Sequence, residues 1–259
     1  MISDPILANC YRRTLTREWQ SRVTRARQDI ERWLHLCRLP AVSVSGGKDS
    51  TALLHLVRSV RPDVLAIRAD PPNPLPEREE HVVNLRSVSG GPWEVVEYPW
   101  DVNAVLRGEL RYPENLKIRV LQSLHRRLEL DGLALGIRAS ESSQRRKTLS
   151  ARGTVYQLAD QSWRCCPLAW WTAQDVIGYL LRQQDYPLNP VYTHTRRMPE
   201  ANLEHLRDGT WWPHGLYPEQ IRPWLEMHYS ECVPLFDAAC WVGVATFVDP
   251  DTLFDTPRG

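Results

Sequence analysis

Apolar residues along the chain change period several times. Trp19, Val23, Ile30, Trp33, Leu34 and Cys37 recur at roughly helical spacing, which predicts a long helix over 15–37 that Pro40 ends. Residues 41–45 form a short β-rich run closing on glycine and predict a strand. A helix over 49–61 follows, with Leu53, Leu54, Leu56 and Val57 on its buried face. The same reading gives strands over 63–69, 93–98 and 133–137, and helices over 77–87 and 116–130, with a loop at 71–76. Residues 154–158 and 162–166 suit a hairpin around Ala159-Asp160-Gln161, and 172–182 suit a helix capped by Thr172 or its neighbour. Beyond Pro187 the chain is rich in Pro, Trp and His, and short helices and loops are expected.

Alternating strands and helices argue for an α/β fold: a doubly wound, mostly parallel sheet with helices on both faces and a helical or irregular C-terminal extension. The expected division is an N-terminal helical segment (1–39), an α/β domain (40–192) and a Trp- and Pro-rich extension (193–259). In such sheets ligands sit outside the C-terminal strand ends. Three polar clusters follow strand ends, at 45–50, 70–77 and 138–147, and are expected to converge on one crevice.

Composition changes this picture little. The 259 residues carry a formal net charge of +1, so overall charge does not argue for nucleic acid. Arg12, Arg13, Arg17, Arg22, Arg25 and Arg27 nevertheless crowd the N-terminal stretch, and local basic clusters bind phosphates even in a neutral protein. No apolar run of about 18 residues exists, so no membrane span is expected. The first thirteen residues have no apolar core of signal-peptide type, so a cytoplasmic location with reduced cysteines is expected.

The most informative segment is Ser45-Gly46-Gly47-Lys48-Asp49-Ser50, where a strand enters, two glycines turn and a helix leaves. Glycines let a phosphate approach the backbone, and the helix start adds free N–H groups and partial positive charge. Ser45 and Ser50 offer hydroxyls, Lys48 a charge, and Asp49 either a Mg²⁺ ligand or a helix cap. The loop is not a Walker A motif, because Asp49 rather than Ser or Thr follows Lys48. A plain glycine turn is the bland alternative. The full pattern resembles the S-G-G-x-D-S pyrophosphate loop of the adenine nucleotide α-hydrolase-like (PP-loop) families.

Further motifs narrow the resemblance. Asp70 and Leu75-Pro76-Glu77 follow the second strand. Gly136-Ile137-Arg138-Ala139-Ser140-Glu141-Ser142-Ser143-Gln144-Arg145 follows the fourth. Then come Pro167-Leu168, Trp171-Thr172, Asp175-Val176 and Pro187-Leu188-Asn189-Pro190-Val191-Tyr192. This ordered set, covering roughly 40–192, is similar to the phosphoadenosine phosphosulfate reductase family. The resemblance implies adenine nucleotide binding by Ser45, Gly46, Gly47, Ser50, Asp70, Glu77, Gly136, Arg145 and Arg146, with Lys48, Asp49 and Arg138 nearest the chemistry. Guanidinium forks suit phosphate and sulfate oxygens. Each polar residue also has a plain reading as turn or solvated charge, and Trp171, Asp175 and the 187–192 segment read mainly as structural.

The reductases of this family attack sulfur with a cysteine in a Glu-Cys-Gly-Leu/Ile-His motif. Here Glu231-Cys232-Val233-Pro234-Leu235 keeps only the first pair. Some relatives hold a 4Fe–4S cluster, for which Cys165, Cys166, Cys232 and Cys240 are the candidate thiolates, although no C-x-x-C is present. Zinc on His228, Cys232 and Cys240 is a further alternative, and buried structural thiols are the default.

The leading expectation is an enzyme using ATP and Mg²⁺, cleaving ATP at the α-phosphate with pyrophosphate release, in sulfur transfer or nucleic-acid modification. The alternatives are a thiol-dependent reductase of phosphoadenosine phosphosulfate or adenosine phosphosulfate, with Cys232 as nucleophile, and a non-catalytic nucleotide-binding subunit of a modification or defence complex. The acceptor is open, as are nucleic acid, a protein or a second copy of the chain as partners. Trp211, Trp212, Trp224 and Trp241 are candidates for docking.

Overall fold

A computed structural model describes residues 4–70, 76–97, 116–183, 185–186, 188–190, 192, 218–234 and 237. Two helices open it, α1 (Pro5–Arg13) and α2 (Arg17–Leu36), followed by β1 (Pro40–Ser43), α3 (Lys48–Val60), β2 (Leu65–Asp70), α4 (Pro76–Ser89) and β3 (Trp93–Glu97). Next come α5 (Leu116–Arg127), β4 (Gly132–Ala134), α6 (Ser143–Arg152), β5 (Val155–Gln157), β6 (Trp163–Cys165) and α7 (Ala173–Arg182). The last described elements are α8 (Pro218–His228) and a 3₁₀ turn, Ser230–Cys232.

The six strands form one sheet in the order β3-β2-β1-β4-β6-β5, all parallel except the β5–β6 hairpin. The chain winds outward from β1 through β2 to β3, then returns to β1's other side for β4. The order therefore reverses between β1 and β4, and their C-terminal ends open on the crevice where such sheets bind ligands.

Side chains alternate across the sheet with period two. Val42 and Ala66 face the larger core with Trp33, Leu53, Leu54 and Val176. Ala41 and Ile67 face the other side, against Leu124 and Leu133. On the larger side α3 is buried on nearly every face, packed by α2, α4 and α7. Burial on so many sides explains its run of Ala, Leu and Val where a surface helix would keep a polar stripe.

Two helices lie where the sequence pattern gave none. α1 starts at Asp4, whose side chain accepts from the Ile6 and Leu7 amides ahead of a proline at the first position. Its Arg13, together with Arg22 of α2, pairs with the buried Asp175 of α7. Part of the arginine cluster is thus spent inside the fold. α6 carries a single buried residue, Leu149, so its apolar periodicity is too thin to signal a helix. Ser142 caps it by accepting from the Arg145 amide at 3.1 Å. Asp175 completes a reciprocal capping box with Thr172 at the start of α7. No described helix is long and apolar enough to cross a membrane.

Candidate functional site

The site begins where β1 ends. Gly46 adopts φ +86°, and a Cβ there would stand 2.8 Å from Val82 Cγ2 of α4, so geometry and space both demand glycine. Gly47 is the N-cap of α3 and offers no side chain to cap it, leaving the first amides of the helix for other acceptors. Ser50 stabilises the turn, donating to the Gly47 carbonyl at 3.0 Å and accepting from the Ser45 amide at 3.2 Å. The two hydroxyls stand 3.2 Å apart.

From β4, across the crevice, Gly136 packs on the start of α3. A Cβ there would meet the Asp49 carbonyl oxygen at 3.2 Å and the Ser50 nitrogen at 3.2 Å. The absence of a side chain lets the loop after β4 reach Asp49. Asp49 Oδ2 accepts from Lys48 Nζ at 3.0 Å, and Oδ1 lies 2.7 Å from Arg138 Nε. Both cationic side chains are wholly buried. Arg138 also donates to Ser140 Oγ at 2.9 Å, while Glu141 accepts from the Arg138 amide at 2.9 Å and pairs with Arg145. Two carboxylates and three cations thus interlock at the switch point.

The electrostatics follow from burial. Burial pulls the Lys48 ammonium down from its ordinary range, Asp49 opposes the change, and Arg138 adds to it. Burial raises Asp49, but Lys48 and Arg138 outweigh it and hold the carboxyl below its usual value. His81 of α4 lies beside the turn and hydrogen-bonds the Gly46 backbone; burial lowers it to about 4, so its ring is neutral at pH 7.

The switch point therefore brings together Ser45, Gly46, Gly47, Lys48, Asp49, Ser50, Gly136, Arg138 and Arg145. Arg146 stays exposed, reaching back to the Ala139 carbonyl at 3.5 Å. Asp70 closes β2, its side chain outside the described set. Glu77, in the first turn of α4, accepts from the Tyr229 hydroxyl at 2.6 Å. Two residues that read as structural in the sequence touch the loop directly. The Lys48 amide donates to the Tyr192 hydroxyl at 3.1 Å, and Asn189 Nδ2 donates to the Gly46 carbonyl at 3.4 Å. No local pattern signals contacts across 144 and 143 residues; only the resemblance singled out their motif.

Both Asp49 oxygens face cations, Lys48 on Oδ2 and Arg138 on Oδ1. Cys165 ends β6 with Sγ against the Asp29 carbonyl at 3.8 Å, and Cys166 is equally buried. Burial pushes Cys166 up to about 12 and Cys165 well above the usual range, opposite to what a ligating thiolate needs. Cys232 is buried on the 3₁₀ turn and also raised, by burial and by Glu231. Cys240, Trp211, Trp212 and Trp241 lie outside the described residues, and Trp224 is buried within α8. Among the described residues no group of three or more His, Cys, Asp or Glu side chains is arranged to hold a metal ion.

The family model of the phosphoadenosine phosphosulfate reductase domain matches residues 39–198. The phosphoadenosine 5'-phosphosulfate reductase of Xylella fastidiosa strain M23 is 25% identical over 164 residues, covering 59% of this chain and 67% of that protein. Among solved structures, the Candida glabrata FMN adenylyltransferase in complex with FMN and an ATP analogue aligns with TM-score 0.52 and 15% identity, over 79% of this chain and 74% of that one. The phosphoadenylyl-sulfate reductase of Candida auris aligns at 0.50 and 16%, over 64% and 83%. At these identities the structural likeness speaks for the fold alone.

Proposed function

Because the chain belongs to the phosphoadenosine phosphosulfate reductase domain family, we propose that its switch-point loop binds ATP and that the protein transfers the adenylyl group to an acceptor. The acceptor oxygen attacks the α-phosphorus, the α–β P–O bond breaks, pyrophosphate leaves, and the acceptor's proton passes to solvent. One observation carries the reading. The N-terminus of α3, where Gly47 supplies no capping side chain, lies beside the buried Lys48–Asp49–Arg138 cluster, and backbone amides next to two cations suit phosphate charge. Catalysis then rests on positioning and charge stabilisation by Lys48 and Arg138. Activated intermediates of this kind suit sulfur transfer or nucleic-acid modification.

The test is pyrophosphate release from ATP in the presence of Mg²⁺ and candidate acceptors, with Lys48→Met as control. Release lost in the variant supports adenylyl transfer. Tight ATP binding with no release under any acceptor favours a nucleotide-binding subunit.

A second reading, reduction of a sulfonucleotide by Cys232, is favoured by the Tyr229–Glu77 hydrogen bond, which ties the segment carrying Cys232 to the strand-end side of the sheet. The raised, buried thiol weighs against it. Sulfite released from phosphoadenosine phosphosulfate and a thiol reductant, and lost in Cys232→Ser, would replace the first reading.

A further inference from the structure

The segment around Asn189 and Tyr192 grips the phosphate loop at three points. The Lys48 amide, the first of α3, donates to the Tyr192 hydroxyl at 3.1 Å. The Lys48 ammonium lies over the Tyr192 ring, 5.3 Å from its centroid. Asn189 Nδ2 donates to the Gly46 carbonyl at 3.4 Å. Both residues are 1% exposed, so neither contact is a surface accident.

These contacts act on the parts of the loop that backbone sterics leave loosest. Gly46 sits at φ +86°, where a glycine peptide has alternative orientations, and the Asn189 amide holds the one whose carbonyl it meets. The first four amides of a helix lack intrahelical acceptors. A neutral phenol oxygen takes the Lys48 amide, leaving those of Asp49 and Ser50 in the same turn for an anion. The aromatic face holds the Lys48 ammonium by its negative quadrupole, while Asp49 holds it from the other direction at 3.0 Å.

We propose that Tyr192 and Asn189 are positioning residues of the phosphate loop, fixing the Gly46 peptide and both nitrogens of Lys48 so that the pyrophosphate moiety of a nucleotide meets a preformed set of donors. The proposal rests on the nucleotide-binding reading and adds to it which remote residues set the affinity for phosphate.

Titration calorimetry on the full chain, with ATP, inorganic pyrophosphate and adenosine as separate probes, tests it. Tyr192→Phe keeps the ring and removes the acceptor. Its affinity for ATP and for pyrophosphate should fall about 2- to 12-fold, the equivalent of one neutral hydrogen bond, with adenosine affinity unchanged. Asn189→Ala should act in the same selective way, and keeps the test open if Tyr192→Phe fails to fold. A merely structural role would lower all three affinities together, or lower the melting temperature while sparing pyrophosphate, and either result overturns the proposal. Tighter pyrophosphate binding by Tyr192→Phe would make the phenol a competitor for the amide and also overturn it. A wild-type protein that binds neither ATP nor pyrophosphate removes the nucleotide reading and this proposal together, an outcome distinct from one in which wild type binds and the variants match it.

Discussion

Replacing Asp49 by Asn is the sharpest probe of the switch-point cluster. The substitution keeps the volume and removes one negative charge from between Lys48 Nζ, 3.0 Å away, and Arg138 Nε, 2.7 Å away. Neither cationic side chain is exposed, so water cannot replace the lost carboxylate without the loop opening. Breaking a buried pair by removing one partner typically costs about 3–5 kcal/mol, mostly from the charge left behind. In a domain of this size each kcal/mol lowers the melting temperature by about 2–4 °C, so the variant should melt about 6–20 °C lower. Urea unfolding followed by tryptophan fluorescence gives the free energy directly. Adding Lys48→Met to the variant should recover part of the loss, because the second change removes one of the stranded cations. Pyrophosphate should raise the melting temperature of Asp49→Asn more than that of wild type, since an anion compensates the charge left without its carboxylate. A loss under about 1 kcal/mol, or a double variant no better than the single, would mean that the cluster is solvated and that its buried geometry is wrong.

Three other consequences can be checked. Gly46→Ala should cost about 2–4 kcal/mol, from positive φ and from the 2.8 Å contact with Val82, and Val82→Ala should rescue only the contact part in a double variant measured by urea unfolding. Burial raises Asp175, but the Thr172 hydrogen bonds and the Arg13 and Arg22 charges hold its folded value below the unfolded one of about 3.9. Its contribution is therefore complete above pH ~4 and is lost as pH falls through the lower folded value, so Asp175→Asn should be about 3 kcal/mol less stable at pH 7 and flatter below pH 4. Cys166, at about 12, is thiolate to only about one part in ten thousand at pH 8, so native protein should leave it and Cys165 unlabelled by iodoacetamide, with labelling restored in urea; rapid native labelling would refute their burial.

The alternation of strands and helices, the β5–β6 hairpin and the glycine turn into α3 were all legible in the sequence, because each depends on residues within a few positions of one another. A buried strand must be apolar, a turn at φ +86° must be glycine, and a helix start must leave amides free. Helix α1 escaped because its start rests on the Asp4 cap ahead of Pro5, which apolar periodicity does not register. α6 escaped because one buried leucine makes no period. What only the tertiary structure decided is the use of the charges. Asp49 read as a metal ligand or a cap, yet strand register sets β4 beside β1 and brings Arg138 onto its free oxygen. Asp175 became the anchor for α1 and α2, and Cys165 and Cys166 became core, through packing between segments far apart in the chain. Tyr192 meets Lys48 across 144 residues. Local backbone demands are written in neighbouring residues, whereas the partner of a buried charge is fixed only when the sheet closes and water leaves.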